Sequence, residues 1–180
     1  MDEVLADTLS ELLARYNRDH GDHVTKADLI GKSLWDVVAL DRHDRLVEYL
    51  HTPDFFENLP IMPDAQEVLA ALAKVHEVYI ASSAMEFPNS LGAKYRWLRR
   101  NFPFLPPTHF VFCGDKGILQ ADYLIDDLPR NFRRFTGQGI LFSAPHNANE
   151  NGHRRVRSWR EVAGIFLSET NSSGTNSELR

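Results

Sequence analysis

At 180 residues the chain suits one domain, or one domain with a modest insertion. Its 43% apolar and 25% charged content is that of an ordinary globular protein. The formal net charge of −5 gives no footprint for a nucleic-acid polymer, although Arg is dense at 130–134 and 154–160. Cys113 is the only cysteine, which excludes an internal disulfide and a cysteine zinc site. No apolar run approaches the ~20 residues of a membrane helix and no basic-then-apolar leader opens the chain, so no membrane contact and a cytoplasmic, reducing setting are expected.

Residues 1–8 run directly into an amphipathic helix from Leu9 to Tyr16, with Leu9, Leu12, Leu13 and Tyr16 at helical spacing. Asp7 or Thr8 would cap it, and Gly21 closes it. The stretch from Val24 to about Asn58 is helical in pattern, so residues 9–60 read as a small helical insertion ended by Thr52-Pro53 and a Pro-punctuated link. Phe55 and Phe56 in that link cannot share one face of a regular element. Either one is therefore a candidate for a cleft, and core packing is the alternative.

From Asp64 onward, strands and helices alternate. A helix over 65–74 precedes strand Val78–Ala81, which ends in Ser82-Ser83. Helix Lys94–Asn101, strand Phe110–Cys113, the turn Gly114-Asp115-Lys116-Gly117 and the strand ending at Asp126-Asp127 follow. A helix carrying Phe132 and Phe135, strand Gly139–Phe142 and a last helix from Ser158-Trp159 to Leu167 complete the order. The expectation is an α/β fold with a parallel sheet and crossover helices, built from 1–8 and 61–167. The tail from Ser168, rich in Ser, Asn, Gly and Thr, should be disordered.

Tyr123-Leu124-Ile125-Asp126-Asp127-Leu128-Pro129 carries the most chemistry. An apolar strand stops at two adjacent carboxylates, at the end of the strand where open α/β sheets bind ligands. Such a pair suits a hard cation with oxygen ligands, Mg²⁺ above all, and an Asp-rich turn opening a helix is the alternative. Asp2, Ser82 with Ser83, and Lys116 join it: an acid, hydroxyls and a cation, a set suited to phosphoryl transfer.

This order resembles the haloacid dehalogenase (HAD) superfamily to about residue 167, and within it the 5′(3′)-deoxyribonucleotidases. The likeness rests on Asp2–Thr8, Tyr79–Ser83, Lys94-Tyr95-Arg96-Trp97, Gly114-Asp115-Lys116, Leu124–Asp127, His146-Asn147 and Ser158-Trp159. It implies a HAD-like Rossmannoid sheet with a small helical cap, and a Mg²⁺-dependent phosphatase acting on (deoxy)nucleoside monophosphates. Ser82, with Ser83 beside it, would contact the phosphate, and Lys116 would neutralise it. Asp126 and Asp127, with Asp2, would hold Mg²⁺. Asp2 would be the general acid and base that protonates the leaving sugar oxygen. Trp35, Phe55 and Phe56 are candidates to stack on the base. Family members are often dimers, and a homodimer is left open.

The family's nucleophile is an Asp two residues before its general acid, and counting back two from Asp2 gives position zero. The chain as written is therefore expected to lack phosphatase activity, and an upstream extension ending in Asp is expected to restore it. A phosphate- or nucleotide-binding protein without turnover, and a HAD phosphatase for another small ester, are the alternatives.

Overall fold

The computed structural model describes residues 1–52 and 54–168, so Pro53 and the tail beyond Ser168 lie outside the described residues. Helix α1 spans Thr8–His20. Asp7 is its N-cap, accepting from the Ser10 amide at 3.1 Å, and Gly21 closes it at φ 69°, donating to the Asn17 carbonyl. That left-handed conformation is one glycine adopts without strain.

The 24–42 stretch departs from the long helical pattern. It forms three 3₁₀ turns, Lys26–Leu29, Leu34–Asp36 and Leu40–Arg42, before helix α2 at His43–His51. Thr25 pairs with Asp28 and Ser33 with Asp36, each hydroxyl 2.7 Å from the carboxylate three residues on. Such local bonds offer the backbone an alternative to a continuing helix, and Gly31 at φ 71° turns the chain between them. Among the described residues from 8 to 59, the secondary structure is all helix and turn.

The chain enters and leaves these helical residues side by side. Asp7 N donates to Pro60 O and Met62 N to Leu5 O, both at 2.8 Å, and Ala6 bridges Ile61 in antiparallel fashion. Two buried indoles pin this region: Trp97 Nε1 donates to Leu59 O at 2.8 Å and Trp159 Nε1 to Val4 O at 2.7 Å. A buried N–H of this kind needs a partner, and both find one in backbone that no helix or strand satisfies.

The remaining elements follow the alternating order: α3 Ala65–Leu72, β1 Ile80–Ser82, α4 Leu91–Asn101, β2 Phe110–Phe112, β3 Tyr123–Asp126, β4 Gln138–Phe142, β5 Arg154–Val156 and α5 Trp159–Phe166. The pairings among these strands are parallel, which fits the α/β fold expected. The strands fall into two sheets, β1-β2 and β3-β4-β5. Two elements differ from the sequence pattern. β5 is a short edge strand of Arg154, Arg155 and Val156, without an apolar run to mark it. The segment carrying Phe132 makes only a 3₁₀ turn, Pro129–Phe132, because Phe132 folds back over β4: a Cβ at Gly139 would sit 2.5 Å from its ring. Asp64 precedes α3, and its carboxylate pairs with Arg160 of α5 at 2.8 Å and makes no capping bond to the helix.

Candidate active site

Ser82 closes β1 and Asp126 closes β3, so both lie at carboxyl ends of strands. Residues 1–6 form a tight turn beside them, with Leu5 N donating to Met1 O at 2.8 Å and Glu3 N to Ala6 O at 2.8 Å. Met1's amino group donates to Ala81 O at 3.2 Å, which fixes Asp2 next to Ser82. The helix α4 then supplies Lys94. Its Nζ lies 2.7 Å from Asp2 Oδ2, 3.4 Å from Ser82 Oγ and 4.3 Å from the centre of the Phe56 ring. Only 2% of Lys94 is exposed, whereas the Asp2 side chain retains 34% and forms the open side of this group.

A second ion pair sits alongside. Lys116, in the 3₁₀ turn after Asp115, is bonded to Asp126 Oδ2, and both are buried. The other carboxylate oxygen of Asp126 accepts from Leu128 N at 3.0 Å and Asn131 Nδ2 at 2.7 Å. Asp127 faces His146 at 3.1 Å, and its carbonyl accepts from Asn147 Nδ2 at 2.8 Å. Asn147 also bonds Phe142 O, Ala144 N and Arg155, so the loop after β4 holds the Asp127 peptide in place.

These contacts set the charge states. Burial works to raise the pKa of Asp2, but Lys94 and the N-terminal ammonium outweigh it and hold the carboxyl below its usual range. Asp126 behaves likewise: burial opposes ionisation, and Lys116 overrides it. Burial lowers the Met1 amine to about 6, with Lys116 adding to the shift. Burial disfavours the His146 cation too, yet the Asp127 carboxylate raises its pKa overall.

Glu3 is the exception among the acids. Burial raises its carboxyl from 4.5 to about 7, despite the bond it accepts from Leu9 N at 2.7 Å. A carboxyl whose folded pKa is raised favours folding below the unfolded value of 4.5, and that contribution is lost as pH rises through about 7. Glu3→Gln should therefore remove a stability loss of up to about 3 kcal/mol over that window. Urea midpoints in EDTA at pH 4.5, 6 and 8 check this. Parallel pH profiles for the variant and the parent would show that Glu3 does not titrate there.

The sequence candidates fall into two groups. Asp2 and Ser82 meet through Lys94, while Lys116 meets Asp126. Ser83 is half-buried and precedes the 3₁₀ turn Ala84–Glu86. Phe55 and Phe56 are both buried and stack edge-on at 4.8 Å. Arg15 lies 5.1 Å from the centre of the first ring, as Lys94 lies against the second. Trp35 alone of the three aromatics keeps accessible surface. Lys94 is the residue that the reading of single strand ends missed. Its signal is its position: it shares the buried stripe of α4 with Trp97 and Leu98, where a lysine needs an anionic partner.

Among the described residues no three His, Cys, Asp or Glu side chains group closely enough to enclose a metal ion by themselves. The donor chemistry nonetheless fits magnesium, which takes oxygen ligands and is held by one or two carboxylates plus water. Asp127 Oδ1 has no protein partner among the described residues, and Asp2 Oδ1 has only a 3.4 Å contact from Thr8 Oγ1.

Comparison with known proteins places the chain. Residues 1–170 match the family described as 5′ nucleotidase, deoxy (pyrimidine), cytosolic type C protein. A protein of Staphylococcus aureus strain Mu50 is 48% identical over 168 residues, covering 93% of this chain and 92% of its own. The 5′(3′)-deoxyribonucleotidases of Bacillus subtilis strain 168 and Bacillus phage SPbeta are each 40% identical over 168 residues, covering 93% of this chain and 95% of their own. With a parallel α/β fold and an acid, a hydroxyl and a lysine gathered at strand ends, the chain belongs to this 5′-nucleotidase family, a HAD-like family of phosphoric monoester hydrolases.

Proposed function

We propose that the protein removes phosphate from (deoxy)nucleoside monophosphates with the help of Mg²⁺. The observation that carries this reading is Lys94 Nζ, shared between Asp2 Oδ2 at 2.7 Å and Ser82 Oγ at 3.4 Å. A phosphate entering beside Asp2 meets a buried ammonium and a hydroxyl, the charge-assisted donors that hold its oxygens best. As the dianion draws Lys94 to itself, Asp2 loses the partner that keeps its pKa low. Asp2 is then suited to carry the proton that the leaving sugar oxygen needs. Asp126, fixed by Lys116, Leu128 N and Asn131, and Asp127 with its open Oδ1 would hold Mg²⁺ together with Asp2. Bound magnesium would supply positive charge opposite the phosphate oxygens. Trp35 is the aromatic left to meet a base, since it follows the 26–31 turn whose Gly31 N donates to Pro145 O at 2.9 Å, next to His146.

Neither Ser82 nor Lys94 accepts a phosphoryl group in the reaction of this family, so the family likeness calls for an aspartate nucleophile besides Asp2. Phosphate release from deoxynucleoside monophosphates and from a small phosphate ester, with Mg²⁺ and in EDTA, tests the reading. It is measured on the 180-residue chain and on one preceded by an apolar strand ending in Asp. Mg²⁺-dependent release by the longer form, lost when that Asp is changed to Asn, is the expected result. No release from any ester by the longer, folded form would end the enzyme reading. With nucleotide binding retained, it would establish a binding protein instead.

A further inference from the structure

Asp126 is held by Lys116, whereas Asp127 meets no lysine or arginine among the described residues. It is fixed instead by the loop between β4 and β5. His146 Nε2 lies 3.1 Å from its carboxylate, and Asn147 Nδ2 donates to its carbonyl at 2.8 Å. Asn147 is 1% exposed, and its amide uses its whole bonding capacity. The two N–H groups go to Asp127 O and Phe142 O, and the oxygen accepts from Ala144 N at 3.2 Å and Arg155 Nη1 at 2.8 Å. Arg155, in the middle of β5, also donates to Asn147 O at 2.9 Å, Glu150 O at 2.7 Å and Ser143 Oγ at 3.3 Å. All of these acceptors are neutral oxygens, so the guanidinium directs its charge to the loop and to no carboxylate.

We propose that Arg155 is a positioning residue for Asp127, acting through Asn147 to aim the Asp127 carboxylate at the metal, an inference that rests on the Mg²⁺ reading above. Arg155 and Ala144 both present N–H groups to the Asn147 oxygen. A flipped amide would set N–H against N–H, so the guanidinium fixes which end of Asn147 faces Asp127. The Asp127 carbonyl is then held by Asn147 and its Oδ2 by His146, which leaves Oδ1 as the carboxylate oxygen without a protein partner. Groups that orient a metal ligand in this way set its geometry without touching the metal. The planar fork of arginine is what the loop requires, because one head must meet the Asn147 amide oxygen and two backbone carbonyls at once.

The test titrates Mn²⁺, standing in for Mg²⁺, into the 180-residue chain and follows binding by paramagnetic resonance. Hydrogen exchange of the Asn147 side-chain amide, read by NMR in the metal-free protein, is the second measurement. Arg155→Met should weaken Mn²⁺ binding by about tenfold or more, the usual effect of removing a group that orients a ligand. It should speed exchange at Asn147 by about the same factor. Arg155→Lys keeps the charge but not the fork, and should fall between the variant and the parent. Arg160→Met, which removes the exposed pair with Asp64, is the control and should leave both measurements unchanged. Near-ultraviolet dichroism confirms that each protein is folded. A lower Tm with unchanged Mn²⁺ affinity, in either Arg155 variant that folds, would reduce Arg155 to a structural role and overturn the proposal. A parent chain that binds no Mn²⁺ at millimolar concentration would end the metal reading instead. Exchange then decides the role of Arg155: an unchanged rate at Asn147 overturns it, and a faster one supports it.

Discussion

Lys94→Met should weaken binding of inorganic phosphate and of deoxynucleoside monophosphates by roughly fiftyfold, measured by titration calorimetry. Hydrogen bonds to a charged group contribute about 1.5–3 kcal/mol, and each 1.4 kcal/mol corresponds to a factor of about ten. Methionine keeps most of the length and volume that Lys94 fills against the Phe56 ring, so the change isolates the ammonium. The same substitution should raise the pKa of Asp2. Lys94 holds that carboxyl down against burial, and without it burial acts unopposed except by the N-terminal ammonium and Lys116. The low pKa favours the folded state above the usual carboxylate range and is lost as pH falls through the folded value, so the variant should show less acid sensitivity there. Lys94→Arg should recover part of the affinity, because the charge returns with a bulkier planar head. Unchanged phosphate affinity in a folded Lys94→Met protein would remove Lys94 from the site.

Asp126→Asn should cost about 3–5 kcal/mol of stability, the typical loss when one partner of a buried ion pair is removed. For a domain of this size that is roughly 10 °C in Tm. From the sequence alone this substitution is expected to abolish metal-dependent activity while leaving the fold intact. Lys116 changes that expectation, because it is 5% exposed and bonded to Asp126, itself 1% exposed. Asparagine can still accept from Leu128 N and Asn131 Nδ2, so the loss should fall on the uncompensated ammonium. Lys116→Met should cost a similar amount, and the double variant should lose well less than the sum of the two single losses, because neither charge is then left buried and unpaired. Calorimetric melting of the four proteins decides the matter. Additive losses would show that Lys116 and Asp126 do not depend on each other for stability, and would favour a phosphate-contacting role for Lys116.

Much of the site is legible because its members lie at places that local pattern marks. Apolar runs of period two or less stop at Ser82 and Asp126, and the carboxyl ends of such strands are where ligands gather. The helix caps were readable for the same reason: Asp7 and Gly21 act on backbone groups three or four residues away. Where side chains compete locally with the helix, as Thr25 with Asp28 and Ser33 with Asp36, the helical period of 24–42 misleads.

Tertiary structure alone decided the rest. Lys94 and Asp2 are 92 positions apart, and no spacing rule joins them. Their meeting follows from burying one face of α4, which forces a lysine inward and leaves the Asp2 carboxylate as its counter-charge. Lys116 and Asp126 are only ten positions apart, yet the sequence assigned the first to a phosphate and the second to a metal. Burial of both makes them partners of each other first. For Phe55 and Phe56 the sequence leaves a cleft and the core as alternatives, and packing buries both rings and sets a cation against each. The sequence by itself determined the α/β class, the family and which strand ends carry chemistry, because those are written in short-range pattern. Which charge faces which, and where two sheet edges stand apart, depended on burial, which adds up only over the folded chain.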